Sequence, residues 1–319
     1  MGYYAINETT LQDVANAIRE KDGTSESIVV SDMADKIKDM QFVPKKPYVD
    51  SKCIKNWSYW FADGDKVGTE NCIDTRNGTK FDYFFSNTTI ANDFPDGYPI
   101  DKIDTSKGVS HEGFFRGCVD ITELTELPDT SNSENMKEYF AGCSKLVSIP
   151  QNLNTSKNKN FYGMCYSCNK LKYFPETDTS KGVTFGAMFW GDYELEVIEK
   201  LDLSSCDDTT ATTGFFFQCR SLITIGEINW GNFIPASSAF NNTLALTNIN
   251  VVGTMRVENN YWKFNYSDNL TVESILSILN ALEDKTGGET YTVYFGPTNL
   301  AKLTTEQKQI ATNKNINLG

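Results

Sequence analysis

The chain has almost no histidine, a deficit of positive charge and no long apolar run, and each shortage removes a class of function. His111 is the single histidine among 319 residues, so a Ser-His-Asp or Cys-His nucleophilic site would have to be built on it. It stands in a polar stretch between Asp104 and Phe115 that offers such a site no local support, and a surface polar residue is expected. Basic residues are outnumbered, 29 Lys and Arg against 42 Asp and Glu, for a formal charge of -13. Phosphate-backbone binding rests on clustered cations, so neither nucleic acid nor an anionic membrane is an expected partner. No apolar run reaches the length of a membrane-spanning helix. Glycine-rich phosphate loops are absent, and no carboxylate pair stands out for glycan hydrolysis. Met1 to Thr10 carries no basic segment followed by a continuous apolar stretch, so no secretory signal is expected. Eight cysteines are too sparse for a disulfide scaffold. Free, buried thiols in a protein made in a reducing cytoplasm are the expectation.

What the chain does have is internal self-similarity, the feature that decides fold before any other. The unit reads Asp-Thr-Ser, a polar loop, an aromatic, two spacers, a cysteine, then aliphatic residues three and six positions on. Asp104-Thr105-Ser106 leads to Phe115, Cys118, Ile121 and Leu124, and Asp129-Thr130-Ser131 leads to Phe140, Cys143, Leu146 and Ile149. The column through Cys118, Cys143, Cys168, Asp192, Cys219 and Thr243 is spaced by 25, 25, 24, 27 and 24 residues. A degenerate copy with Asp74, Phe85 and Thr88 precedes it. One such unit cannot fold alone, because ordering its backbone costs about 1–2 kcal/mol per residue and its few apolar side chains return too little. Stacked neighbours must supply the difference, with short strands such as Leu146 to Ile149 pairing above and below. The expected fold is α/β: a leucine-rich-repeat solenoid of about seven 24–27-residue repeats over residues 73–250, with a small helical module at 1–43, a linker and N-terminal cap at 44–72, and an α/β C-terminal cap at 251–319.

Asn135-Met136 through Phe140-Ala141-Gly142-Cys143-Ser144-Lys145-Leu146 resembles the bacterial surface-antigen (BspA-like) leucine-rich repeats, whose units run Asp-Thr-Ser and then Met-Phe-x-x-Cys-x-x-Leu. The resemblance covers about residues 73–250 and implies an extracellular binding surface, not a reaction. Thr10 to Arg19, followed by Asp32 to Ile37, is similar to a segment that recurs in phage and prophage tail proteins. The stretch from Asn299 to Lys314 resembles the C-termini of tail-associated repeat proteins. In the first segment Leu11, Val14 and Ile18 share a helical face, and Met33 and Ile37 follow in a second short helix. These apolar faces are expected to attach to a partner. Thr271 to Glu283 has helical spacing, Tyr291 to Phe295 reads as a strand, and a last helix opens near Thr304 with Gln307 completing a capping box.

Three motifs have both a chemical and a structural reading. Cys165 and Cys168 have the spacing of zinc or thiol-redox sites, but Cys168 falls in the cysteine column and Cys165 in the aromatic slot, so core packing is expected. Column cysteines one strand spacing apart could also pair as disulfides, though stacked parallel side chains seldom offer the torsion. The column Asp74, Asp104, Asp129, Asp178 and Asp202 could be a row of weak calcium ligands. Asn154 and Asn229 stand in the same column, which favours turns closed by side-chain oxygens.

Outward columns vary freely and are where a ligand would bind. Tyr166, Tyr173, Trp190 and Tyr193 are the candidate aromatic strip, suited to sugar rings or protein. Trp57, Tyr59, Trp60 and Phe61 form a second cluster, expected to fill the N-terminal cap. The combined reading is a non-catalytic phage tail fibre, tail tip or baseplate-associated protein that binds a bacterial surface glycan or protein and needs no cofactor. It would be located in the virion and joined through its N-terminal module to other tail proteins, trimeric by analogy with tail fibres. The alternatives are a bacterial cell-surface adhesin and, behind it, a tail-associated depolymerase.

Overall fold

The computed structural model describes residues 54–64, 73–90, 93–94, 96–206, 214–236, 238–258 and 262–319. The helical segment with Leu11, Val14, Ile18, Met33 and Ile37 lies outside the described residues, as does the linker that follows it.

The described chain mixes strand and helix, and neither of its sheets is closed. Strands β1 (Tyr173–Phe174), β2 (Val197–Asp202), β3 (Thr224–Asn229) and β4 (Asn248–Val252) form a parallel sheet in chain order. Register places Ile198 beside Ile225 and Ile225 beside Ile249, so positions one sequence period apart become neighbours. Leu146 to Ile149 forms no strand of its own; Ser148 alone bridges to Tyr173. Beyond β4 come helices α1 (Val272–Ala281), α2 (Gly296–Leu300) and α3 (Thr305–Asn313), with a second parallel pair, β5 (Tyr291–Val293) and β6 (Ile316–Leu318).

A second ladder runs through the turns. Parallel bridges link Asn56 to Lys80, Lys80 to Ser110, Ser110 to Asn135, Asn135 to Asn160 and Asn160 to Thr184. Around each bridge, alternate backbone N–H groups donate to carbonyls one period later, as Phe115 does to Tyr139 and Phe140 to Met164, both at 2.9 Å. The chain bends sharply twice per period, and each bend needs a residue with positive φ. Gly142 and Gly191 hold that conformation without a β-carbon, while Ser167 (φ 58°) and Gln218 (φ 66°) adopt it at a steric cost.

The repeated residue types have repeated jobs. In six of the Asx positions the side chain accepts from the N–H two residues on, as Asp104 Oδ1 does from Ser106 and Asn154 Oδ1 from Ser156. That is the turn chemistry in which Asp and Asn are equivalent. The threonine that follows ties one period to the next: Thr105 Oγ1 donates to Asp129 O at 2.9 Å and Thr130 Oγ1 to Asn154 O at 2.7 Å. Cys118, Cys143, Cys168 and Cys219 are free and buried. Each thiol donates to a carbonyl of the preceding period, Phe85, Phe115, Phe140 and Phe189 respectively, at 2.9–3.1 Å. Cys165 is buried in the aromatic column, and among the described residues no group of three or more His, Cys, Asp or Glu could hold a metal ion.

Aromatic columns fill the interior. Phe61, Phe85, Phe115 and Phe140 stack at 5.4–5.9 Å with nearly parallel rings. A neighbouring column holds Trp57, Phe81, His111, Met136, Phe161 and Phe185, all fully buried. The surface expectation for His111 is therefore corrected. Its ring stacks on Phe81 at 5.5 Å, its Nδ1 lies 3.1 Å from Ser133 Oγ, and burial pushes its pKa down to about 3. The polar residues around it in sequence face outward, while its own position falls in an inward column.

The sheet ends against α1. The β4 N–H groups of Ile249 and Val251 would be left open at a sheet edge, and Ser274 Oγ and Ser277 Oγ accept them at 2.9 and 2.7 Å. The buried column continues beyond Ile249 through Phe264, Ser267 and Leu270. Thr271 caps α1 and Thr304 with Gln307 forms the capping box of α3. Lys314 Nζ reaches the α1 C-terminus and donates to Leu279, Asn280 and Leu282 carbonyls at 2.6–3.2 Å, as expected of a cation at the negative end of a helix.

Candidate binding groove

Between its two sharp bends, each period presents outward side chains directly beside the inward aromatics. At the groove the bend positions are Glu138 (φ 55°), Gly163 (φ 58°) and Ala187 (φ 54°). Small residues at two of them leave space that rings from the flanking positions partly cover. The result is a recess of about 380 Å³ lined chiefly by Arg116, Glu138, Tyr162, Gly163, Tyr166 and Trp190. Its size falls within the range of small-molecule sites, about 300–1,000 Å³.

The ladder fixes the groove's backbone. Gly142 N–H donates to Tyr166 O at 2.7 Å and Ser167 N–H to Trp190 O at 2.8 Å. Tyr166 and Trp190 stand 6.1 Å apart between ring centroids, tilted by 46°, and Trp190 meets Phe217 at 4.7 Å. At the far end Arg116 Nε and Glu138 Oε2 form an ion pair at 2.8 Å. Tyr166 is 41% exposed. The arrangement can present flat apolar faces beside an ion pair, a phenol and an indole N–H. Nothing in it supplies an activated nucleophile or an acid and base pair.

The four aromatic candidates do not form one strip. Tyr166 and Trp190 line the groove together. Tyr193 is exposed beneath the Arg220 guanidinium, 5.1 Å from its ring centre. Tyr173 lies in β1, opposite Val197, in the sheet. Arg116 shares the outward column of Tyr166 and Trp190 in the sequence, whereas Tyr162 and Glu138 were not among the residues singled out from it. Their signal is present, since the residue just before each bend recurs as Asp82, Glu112, Lys137 and Tyr162, but it becomes visible only once the bend positions are known. Of the N-terminal aromatic cluster, Trp57 and Phe61 are buried and Tyr59 is 57% exposed.

Residues 56–177 match the family described as Mycoplasma protein of unknown function, DUF285. The chain is similar to it there. The DUF285 match takes in Arg116, Glu138, Tyr162 and Tyr166, and it stops short of Trp190. No curated protein and no solved structure matches the chain.

Proposed function

We propose that this chain is a non-catalytic receptor-binding protein: a leucine-rich-repeat solenoid of about seven repeats that carries a recognition groove for a bacterial surface component. The observation that carries the reading is the groove itself, where Tyr162, Tyr166 and Trp190 meet beside an Arg116–Glu138 pair. Repeat ladders build extended surfaces on which outward side chains vary while inward ones are held, and aromatic anchors with polar tips are the residues that dominate such contacts. The resemblance of the terminal segments to tail proteins supports a place in a phage tail fibre, tail tip or baseplate. There the first 43 residues would attach to neighbouring tail proteins, and the assembly would be trimeric. The purified full chain is expected to bind intact host bacteria saturably and to release no reducing ends from host polysaccharide. Sustained release would replace the binding reading with a depolymerase.

A second reading is a bacterial cell-surface adhesin of the same repeat class, and the match to a Mycoplasma family favours it. Antibody labelling of intact bacteria against purified particles separates the two. Signal on cells that carry no phage genes would support the cellular reading.

A further inference from the structure

Resting on the binding reading, we infer that the ligand is an uncharged glycan chain that runs along the turn ladder and occupies two aromatic subsites, one at Tyr162, Tyr166 and Trp190 and a second at Tyr59 and Tyr83. The second subsite is a recess of about 620 Å³ lined by Tyr59, Lys80, Asp82, Tyr83 and Glu112 among others. Tyr59 and Tyr83 stack face to face at 4.9 Å with an interplanar angle of 8°. The Tyr83 ring lies over Gly113, where a β-carbon would come within 2.5 Å of it. The stack therefore presents the broad exposed face of Tyr59, beside the Glu112 carboxylate that accepts from Tyr83 Oη at 2.8 Å.

Both recesses sit on the same succession of bends. The ladder from Asn56 through Lys80, Ser110, Asn135 and Asn160 to Thr184 is continuous. With about 4.8 Å per parallel step, the five steps span roughly 24 Å, a length that a chain of several sugar rings covers and a single ring does not. Flat aromatic faces complement the C–H faces of pyranose rings, and the polar tips between them suit hydroxyl groups. Tyr166 Oη, Trp190 Nε1 and the terminal guanidinium nitrogens of Arg116 carry no hydrogen bond among the described residues.

Charge decides which glycan. Among the described residues, the cations that line the two recesses are paired, Lys80 with Asp82 at 3.0 Å and Arg116 with Glu138 at 2.8 Å, and Lys137 beside them pairs with Glu112 at 3.0 Å. Among the described residues, no unpaired cation lines either recess to meet a carboxylate or phosphate, and the chain's formal charge of -13 repels polyanions at longer range.

The test is titration of the full chain with linear glucose, galactose, mannose and N-acetylglucosamine oligomers of two to eight units, and with uronate oligomers of the same lengths, by calorimetry and tryptophan fluorescence. At least one neutral series is expected to bind, its six- to eight-unit members on the order of ten-fold tighter than its dimer, because the second contact becomes intramolecular. Tyr59→Ala should abolish that gain with length, and Tyr166→Ala should weaken every length; both rings are exposed, so thermal unfolding should stay near that of the parent. Length-independent affinity, tighter binding of uronates, or no oligomer binding by protein that still binds bacteria would overturn the inference and leave the binding reading standing. Protein that binds neither oligomers nor bacteria would remove both.

Discussion

The Trp190 ring lies against the backbone of Gly214, so close that a β-carbon at Gly214 would come within 2.3 Å of Trp190 Cε3. This contact couples the groove's indole to a bend of the next period, where Gly214 has φ 68°. Backbone conformation in one turn thus sets ring position in the turn before it.

Gly214→Ala is therefore expected to act twice. A side chain at positive φ costs on the order of 1–2 kcal/mol, and the new methyl must push Trp190 aside. Chemical denaturation should show the loss of stability, and the Trp190 contribution to fluorescence should shift. An unchanged spectrum would mean that the ring does not rest on this glycine.

Asp192 occupies a slot of the cysteine column and is fully buried. Its Oδ1 accepts from Cys168 N–H at 2.8 Å, Oδ2 has no hydrogen-bond partner, and burial raises its pKa well above the usual carboxylate range. The folded state thus keeps a proton that the unfolded chain releases above about pH 4. Stability from this group is complete in acid and is lost as pH rises toward the folded pKa. Asp192→Asn keeps the acceptor and removes the titration. It should stabilise the protein at pH 8 by about 1–3 kcal/mol, with the gain shrinking toward pH 4 in denaturation curves.

His111 has the opposite sign. Its folded pKa of about 3 lies below the unfolded value of 6.5, so the unfolded chain takes up a proton first as pH falls. Stability should fall below pH 6.5 by at most about 1.4 kcal/mol per pH unit. His111→Phe should remove that contribution while extending the ring stack on Phe81. The parent's dependence between pH 4 and 6.5 includes opposed Asp192 and His111 contributions, so each single variant should shift the slope toward the other's. Parallel curves for His111→Phe and parent would contradict a buried neutral imidazole.

Ser274 and Ser277 terminate the sheet by accepting β4 N–H groups. Replacing Ser277 by Ala leaves Val251 N–H without that acceptor, and a loss of about 1–2 kcal/mol is expected. Amide exchange at Val251 should accelerate more than exchange at Ile225, deeper in the sheet. Equal rates would show that α1 does not close the edge through this hydroxyl.

Much of this organisation could be read from the residues in order. The Asx-Thr-Ser turns, the aromatic slot, the thiol column and the capping residues Thr271, Thr304 and Gln307 all act over short sequence distances or recur at one period. His111 was misplaced because the unit defined by Phe115 and Cys118 does not include the column of Trp57, Phe81, Met136, Phe161 and Phe185. That column mixes residue types, so its period is hard to see. Asp192 is similar: in sequence it is one more acid among many, and only its burial makes it costly. The C-terminal column through Phe264 and Ser267 is hard to see in the sequence because α1 replaces the strand there.

The sequence by itself determined the period, the identity of the turn-closing side chains and the helices of the C-terminal segment, since each follows from local hydrogen bonding or from one apolar stripe. Only the tertiary structure decided which outward residues meet. Tyr162 and Tyr166 belong to one period and Trp190 to the next, and their approach depends on where each chain bend falls and on how small the residue at the next bend is. Those are properties of stacked neighbours, so no single stretch of the chain contains them.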